Sequence, residues 1–160
     1  MLTQQQANSL FHYSNGELTR ISVISKKTKI GDVPGWIGAR GYKYLSIYNK
    51  KYYLHRVIWL MHYGYLPKFI DHIDGNRLNN RIENLRACTL SENSCNSKIR
   101  SDSTSKIKGV NWFKPKQKWR ARLSLNKKEY HFGYFLTKEE AENAVIIGRK
   151  KIHKEFARHA

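Results

Sequence analysis

The ten residues from Ser97 to Lys106, Ser-Lys-Ile-Arg-Ser-Asp-Ser-Thr-Ser-Lys, hold a single large apolar side chain. No apolar period runs across them, and Ser mixed with charge is linker composition. In a chain of 160 residues such a break leaves room for two small units, each obliged to bury its own apolar face. The expected division is a first domain over 1–97, a linker over 98–106 and a second domain over 107–160. Hydrophobic residues at 40% and aromatics at 12% suffice for two compact cores. Charge is uneven between them. Residues 1–97 carry 13 basic and 6 acidic groups, a net +7, and residues 98–160 carry 17 basic and 6 acidic, a net +11. The whole chain stands at +18, a charge that opposes compaction unless a polyanion shares the solvent. Nucleic acid is therefore the first partner to expect and an anionic membrane the second. No uncharged run reaches the length of a spanning helix, and the N-terminus does not read as a secretory signal. Cys88 and Cys95 make neither a disulfide framework nor a zinc ribbon, so both are expected as buried packing residues in a reducing compartment.

The second unit has the cleaner pattern. Trp119-Arg-Ala-Arg-Leu-Ser-Leu125 alternates with period two, which points Trp119, Ala121, Leu123 and Leu125 at a core and Arg120, Arg122 and Ser124 outward. Asn126-Lys127-Lys128 is a turn, and Glu129 to Phe135 returns as a strand with His131 on the outer face. Gly109 to Trp112 reads as a further strand. Thr137-Lys-Glu-Glu140 has capping-box spacing and predicts a helix to about Ile152 with a stripe of Ala141, Ala144, Val145, Gly148 and Ile152. One helix behind three strands leaves the opposite sheet face free, and that face carries cations fit for a DNA groove.

The first unit is predicted to open with a helix over Thr3–Tyr13. A hairpin follows over Tyr42–Tyr48 and Lys51–Leu54, then a helix over His55–Tyr63 that stops at Gly64. This part reads as scaffold. Its end reads as chemistry. Phe69 to His72 is a short strand, Asp74-Gly75-Asn76 a turn, Asn84 to Cys88 a second strand, and Thr89-Leu-Ser-Glu92 the cap of a helix. Asp71 and His72 at a strand end and Asn93 in a first helical turn can then converge. An imidazole such as His72 can take a proton from water near neutral pH, and a hard divalent cation accepts a small oxygen set such as Asp71 and Asn93. The other imidazole nitrogen needs an acceptor, for which Asn84 is a candidate. Such a group can hydrolyse phosphodiesters. Asp74, Asn76 and Asn80 are read as loop formers, and Arg56 is open between a phosphate contact and a packing role.

The spacing Asp71-His72, eleven residues, Asn84, eight residues, Asn93 resembles the HNH endonucleases, in particular the phage and intron-encoded homing enzymes with the ββα-metal fold. The flanks Ile73-Asp74-Gly75-Asn76 and Asn80-Arg81-Ile82-Glu83-Asn84-Leu85 match as well. The resemblance implies His72 as general base, Asn84 as the residue that orients it, and Asp71 and Asn93 as ligands of one Mg²⁺ or Mn²⁺ ion, with the ββα element over about 69–97. It also implies hydrolysis to 5′-phosphate and 3′-hydroxyl ends. Residues 107–160 are similar to the apetala-two / ethylene-response-factor class of DNA-binding domain. Gly109-Val110, Lys118-Trp119, Phe132-Gly133-Tyr134-Phe135, Thr137, Glu140-Ala141 and Phe156-Ala157 carry that likeness. By it Lys108, Asn111, Arg120, Arg122 and His131 face the DNA, with Asn111 where plant members have a second Arg.

The expected fold is α+β: a ββα-metal nuclease element plus a small three-stranded antiparallel sheet packed on one helix. The expected function is a divalent-metal-dependent DNA endonuclease, a phage or intron homing enzyme. The alternative is a catalytically inactive, sequence-specific DNA-binding regulator. Double-stranded DNA is the expected partner, with no membrane and no protein partner implied. A monomer in a bacterial host cytoplasm is expected.

Overall fold

The structure, a computed structural model, describes residues 1–97, 99 and 101–153. It mixes helix and strand, and it divides into two compact units, Met1–Cys88 and the chain from Thr89 onward. Among the described residues no helix is long and apolar enough to cross a membrane.

The first unit opens with α1, Gln4–Leu10, whose cap Thr3 exchanges hydrogen bonds with Gln6. The helix is shorter than the sequence predicts. Phe11–Ser14 is instead β1, paired antiparallel with β2, Glu17–Arg20. The tight turn between them, Asn15-Gly16, has φ of 48° and 85°, the left-handed pair that favours a two-residue hairpin. Pairing across that turn outweighs helix propensity and buries Phe11. A three-stranded antiparallel sheet follows: β3, Trp36–Ile37, β4, Lys43–Ile47, and β5, Lys50–Tyr53, with β4 in the middle. The β4–β5 turn, Tyr48-Asn49, again has both residues at positive φ. Helix α2, Leu54–Tyr63, ends at Gly64 with φ 74°, where its N–H caps the Leu60 carbonyl. Its stripe of Leu54, Val57 and Ile58 packs with Leu10, Phe11, Leu18 and Leu45 in one core. That core also takes Ile70 from β6, Phe69–His72, and Leu85 from β7, Leu85–Cys88, which form an antiparallel ribbon.

The second unit begins with α3, Leu90–Cys95, started by the Thr89–Glu92 capping box. β8, Val110–Phe113, β9, Lys118–Leu125, and β10, Lys128–Phe135, form an antiparallel sheet with β9 central, and α4, Lys138–His153, packs on one face. Ala121 and Leu123 are buried against Ala141 and Val145, as the alternation requires. The bulge in β10 between His131 and Gly133 keeps Phe132 on the helix side.

The division does not fall in 98–106. It falls after Cys88, because α3 is tied to the second sheet's unit. Lys108 Nζ donates to the carbonyls of Ser94 (3.2 Å), Cys95 (2.6 Å) and Ser97 (2.8 Å) at the helix's C-terminal end, and Asn126 N donates to Ser91 Oγ at 2.7 Å. The described part of the expected linker is folded as well. Ser105 is 1% exposed, accepts from Ile107 N at 3.1 Å and donates to the Val110 carbonyl at 2.6 Å. Arg149 on α4 is also buried and donates to the Lys108 carbonyl, a buried cation that the small-residue stripe concealed. Cys95 is buried and Cys88 half-buried. Lys98, Arg100, Phe156 and Ala157 lie outside the described residues.

The close approach of α4 to the sheet depends on Gly148, where a Cβ would stand 2.2 Å from the Phe132 ring. Gly148→Ala is expected to destabilise the second unit by about 1–3 kcal/mol through overpacking. Urea unfolding followed at the tryptophans measures it.

Candidate active site

The β6–β7 ribbon sets the first geometry. Its register places Asp71 opposite Arg86 and His72 opposite Leu85, and Ile73 N closes the ladder on the Asn84 carbonyl at 2.9 Å. Asp71 and His72 are both buried. A buried carboxylate needs a counter-charge, and Arg86 provides it, with Nε and Nη2 at 3.0 and 2.8 Å from Asp71 Oδ2. Removing one partner of such a pair typically costs about 3–5 kcal/mol, because the other charge stays buried.

The loop from Asp74 to Asn84 is stiffened by its own side chains. Asp74 Oδ1 accepts from Asn76 N (2.7 Å) and Asn84 Nδ2 (3.0 Å), and its Oδ2 accepts from Asn79 Nδ2 (2.7 Å). Asn84 Oδ1 in turn accepts from Asp74 N at 3.1 Å, and Asn84 Nδ2 also reaches the Asn79 carbonyl at 2.7 Å. Burial by itself raises the Asp74 carboxyl. The bonds from Asn79, Asn76 and Asn84 overcome that and hold it below the usual carboxylate range.

The acceptor on the imidazole is therefore Asn80, with its Oδ1 3.1 Å from His72 Nε2, while the Asn84 side chain bonds within the loop. Asn80 is 1% exposed and its Nδ2 donates to the Leu78 carbonyl at 3.2 Å. That donor fixes which end of the amide faces the ring. An amide oxygen only accepts, so Nε2 carries the proton and Nδ1 holds the lone pair. Burial pushes the His72 pKa down, against the upward pull of the Asn80 bond and of the Asp74 and Asp71 charges. The ring is thus neutral at physiological pH and basic at Nδ1.

The ring is walled by aromatics that local sequence patterns did not single out. His55, in the first turn of α2, stands 5.1 Å from His72 between ring centroids, and Tyr42 stands 6.0 Å away. Tyr42 and Tyr53 also flank His55. Burial lowers the His55 pKa to about 3, helped by the His72 and Arg56 charges, and among the described residues its buried Nδ1 has no hydrogen-bond partner. Arg56 Nη2 donates to the Pro67 carbonyl at 3.2 Å, a packing role.

The N-terminal segment, which reads as plain scaffold in the sequence, buttresses this loop. The Tyr13 hydroxyl accepts from Ile82 N at 2.9 Å. At Gly16 (φ 85°) a Cβ would stand 2.7 Å from Arg81 N and 2.9 Å from the Asn80 carbonyl carbon. The β1–β2 turn thus presses on the residue that aims His72.

Asn93 lies on α3 and belongs to the second unit, whereas Asp71, His72 and Asn84 belong to the first. Among the described residues no three His, Cys, Asp or Glu side chains group to hold an ion. On the second sheet, the register puts Asn111, Arg120, Arg122 and His131 on the face away from α4, as expected. Lys108 is not among them, because its ammonium caps the carbonyl end of α3. Two rings missed by the sequence reading share the face. Phe113 and Tyr134 lie 5.2 Å apart, with the Arg120 guanidinium 4.9 Å over Phe113. Arg120 Nε is 3.3 Å from Asn111 Oδ1, and Arg122 pairs with Glu129 at 2.8 Å.

Two outcomes follow from this geometry. Gly16→Ala meets backbone atoms at a left-handed φ, so it is expected to cost more than about 1 kcal/mol. It should also disturb the His72 ring resonances in an NMR spectrum. His55 takes a proton near pH 6.5 when unfolded and near 3 when folded. Between those values the unfolded chain binds more protons, so stability is complete above pH 6.5 and falls as pH drops, by up to about 1.4 kcal/mol per unit. Denaturation at a series of pH values should show that slope, reduced in His55→Phe.

A family model described as HNH endonuclease matches residues 52–95, the span from β5 through α3 that holds Asp71, His72, Asn84 and Asn93. The chain is 36% identical over 108 residues to Protein 3.8 of Escherichia phage T7, covering 65% of this chain and 87% of that one. It is 33% identical over 125 residues to an uncharacterized HNH endonuclease of Acanthamoeba polyphaga mimivirus, covering 76% of this chain and 64% of that protein. No solved structure matches. With the matched span enclosing the buried Asp-His ribbon, and with a relative covered over most of its length, the chain belongs to the HNH endonuclease family.

Proposed function

We propose that the protein is a divalent-metal-dependent endonuclease that hydrolyses phosphodiester bonds of double-stranded DNA, with His72 as its general base. The observation that carries this reading is a buried imidazole whose Nε2 stands 3.1 Å from Asn80 Oδ1, in the residue that follows a buried carboxylate; with Nε2 donating to that oxygen, Nδ1 is the basic nitrogen. Water gives its proton to Nδ1 as its oxygen bonds to phosphorus, and the bond to the 3′ oxygen breaks. The products are a 5′-phosphate and, once the leaving oxygen is protonated, a 3′-hydroxyl. Asn80 keeps the tautomer, and the Asp74–Asn84 bonds hold the loop that carries Asn80.

HNH endonucleases generally use a divalent metal. The oxygen donors offered by Asp71 and by Asn93 suit a hard ion such as Mg²⁺ or Mn²⁺, one per site, that takes further oxygens from phosphate and water. When bound, the ion stabilises charge on the phosphate and the leaving oxygen. Arg86 holds Asp71 in place through Oδ2.

The second unit grips the duplex by the sheet face that carries Arg120, in the manner of an apetala-two type domain. The Asn111 bond and the Phe113 ring preorganise Arg120 for a base edge, while Arg122 must first leave Glu129. The phage T7 relative supports a phage setting, and a homing role fits it.

The test is a supercoiled plasmid incubated with the protein in Mg²⁺, in Mn²⁺ and in EDTA. Open circles or linear product are expected with either metal and not with EDTA, and His72→Ala should bind DNA yet leave the plasmid intact. Asn80→Ala should lower the single-turnover rate by about 10²-fold with affinity unchanged. Because the base must be unprotonated and its pKa is lowered, the midpoint of the wild-type rate's fall with acid should lie below the ordinary imidazole value of 6.5. Tight, salt-sensitive binding without scission in any divalent ion would instead mark a DNA-binding regulator.

A further inference from the structure

We infer that Arg77 is the guanidinium that grips the scissile phosphate beside His72, an inference that rests on the nuclease reading above. The loop between β6 and β7 is a chain of side-chain bonds: Asp74, Asn76, Asn79, Asn80 and Asn84 each hydrogen-bond to other atoms of the loop or to His72. Arg77 differs. Its side chain leaves the loop, and its Nη1 donates to the Arg40 carbonyl at 2.7 Å. Its guanidinium carbon lies 4.8 Å over the Tyr42 ring, the ring that also contacts His72. A guanidinium has five N–H donors, and among the described residues one of its nitrogens has a hydrogen-bond partner.

Three properties of this arrangement suit a phosphate in the reaction. The cation is exposed, so a polyanion can reach it. It is preorganised by a carbonyl and an aromatic face, so little side-chain freedom is lost when it binds. And it is close to the base, since both lie against the Tyr42 ring, the guanidinium carbon at 4.8 Å and the imidazole at 6.0 Å between centroids. A planar fork beside a general base can hold the two non-bridging oxygens of a phosphodiester, and it strengthens its hold as negative charge grows during attack. Arg86 cannot take this role, because it is half-buried and committed to Asp71.

The experiment compares wild type, Arg77→Met and Arg77→Lys in single-turnover plasmid cleavage at saturating protein, and in duplex affinity in EDTA. Arg77→Met is expected to lower the saturating rate by about 10²–10³-fold. Affinity should change less than threefold, the thermal midpoint should not move, and Lys should restore part of the rate. A saturating rate within threefold of wild type overturns the inference, as does a loss found wholly in affinity. A second measurement serves even for a wild type that does not cut, an outcome that would count against the nuclease reading alone. A short duplex is titrated in EDTA into protein labelled at His and Arg. Arg77 Nε–H and the His72 ring resonances are expected to shift together, with the His72 shift lost in Arg77→Met. A His72 shift that persists in that variant overturns the assignment.

Discussion

Two residues ten positions apart, Asp74 and Asn84, exchange hydrogen bonds in both directions, and the order of the first unit's site follows from that exchange. β6 and β7 have four residues each, too short a ribbon to hold a long loop still by ladder bonds alone. The side-chain exchange closes the loop at its base, and Asn79 adds a third strut. Within that frame Asn80 lies buried with its amide orientation settled by the Leu78 carbonyl. The imidazole inherits its tautomer from a chain of acceptors that begins with a carboxylate kept ionised by the same loop. Each bond in the sequence is ordinary in strength. Their value lies in geometry, because together they fix where the His72 imidazole stands and which nitrogen it turns to Asn80.

Burial acts on this site from two sides. It lowers the proton affinity of both His72 and His55, which keeps two neighbouring imidazoles from becoming two neighbouring cations. It also makes the Asp71–Arg86 pair obligatory, since either charge alone would be stranded. The N-terminal hairpin contributes without offering a single reacting group. Tyr13 and Gly16 fit against Asn80, Arg81 and Ile82 so closely that a methyl group at position 16 has no room.

The second unit solves a different problem, which is to present cations without losing its core. Arg149 and Lys108 are turned inward to hold the segment after α3, while Arg120 and Arg122 are turned outward. The +11 of this half is therefore divided between structure and surface, and net charge alone overstates what is available to DNA. Phe113 and Tyr134 give the outer face an apolar patch beside the Arg120 guanidinium.

Local rules were enough for much of this. Period-two alternation located β9, capping boxes located the starts of α3 and α4, Gly64 located the end of α2, and motif spacing singled out Asp71 and His72. These features depend on neighbours a few residues away, and a sequence displays them directly. The Asn15-Gly16 hairpin was equally local, yet helix propensity concealed it. Other assignments needed contacts that no short window contains. Asn80 and Asn84 are the same residue type in the same loop, and only burial distinguishes the one that meets the imidazole. Lys108 reads as one more surface cation until the carbonyl end of α3 is found beneath it, and Ser105 reads as linker until it is found buried. The amino-acid order determined which residues could carry the chemistry. The tertiary structure decided which of them face one another, because hydrogen bonds and desolvation act through space and not along the chain.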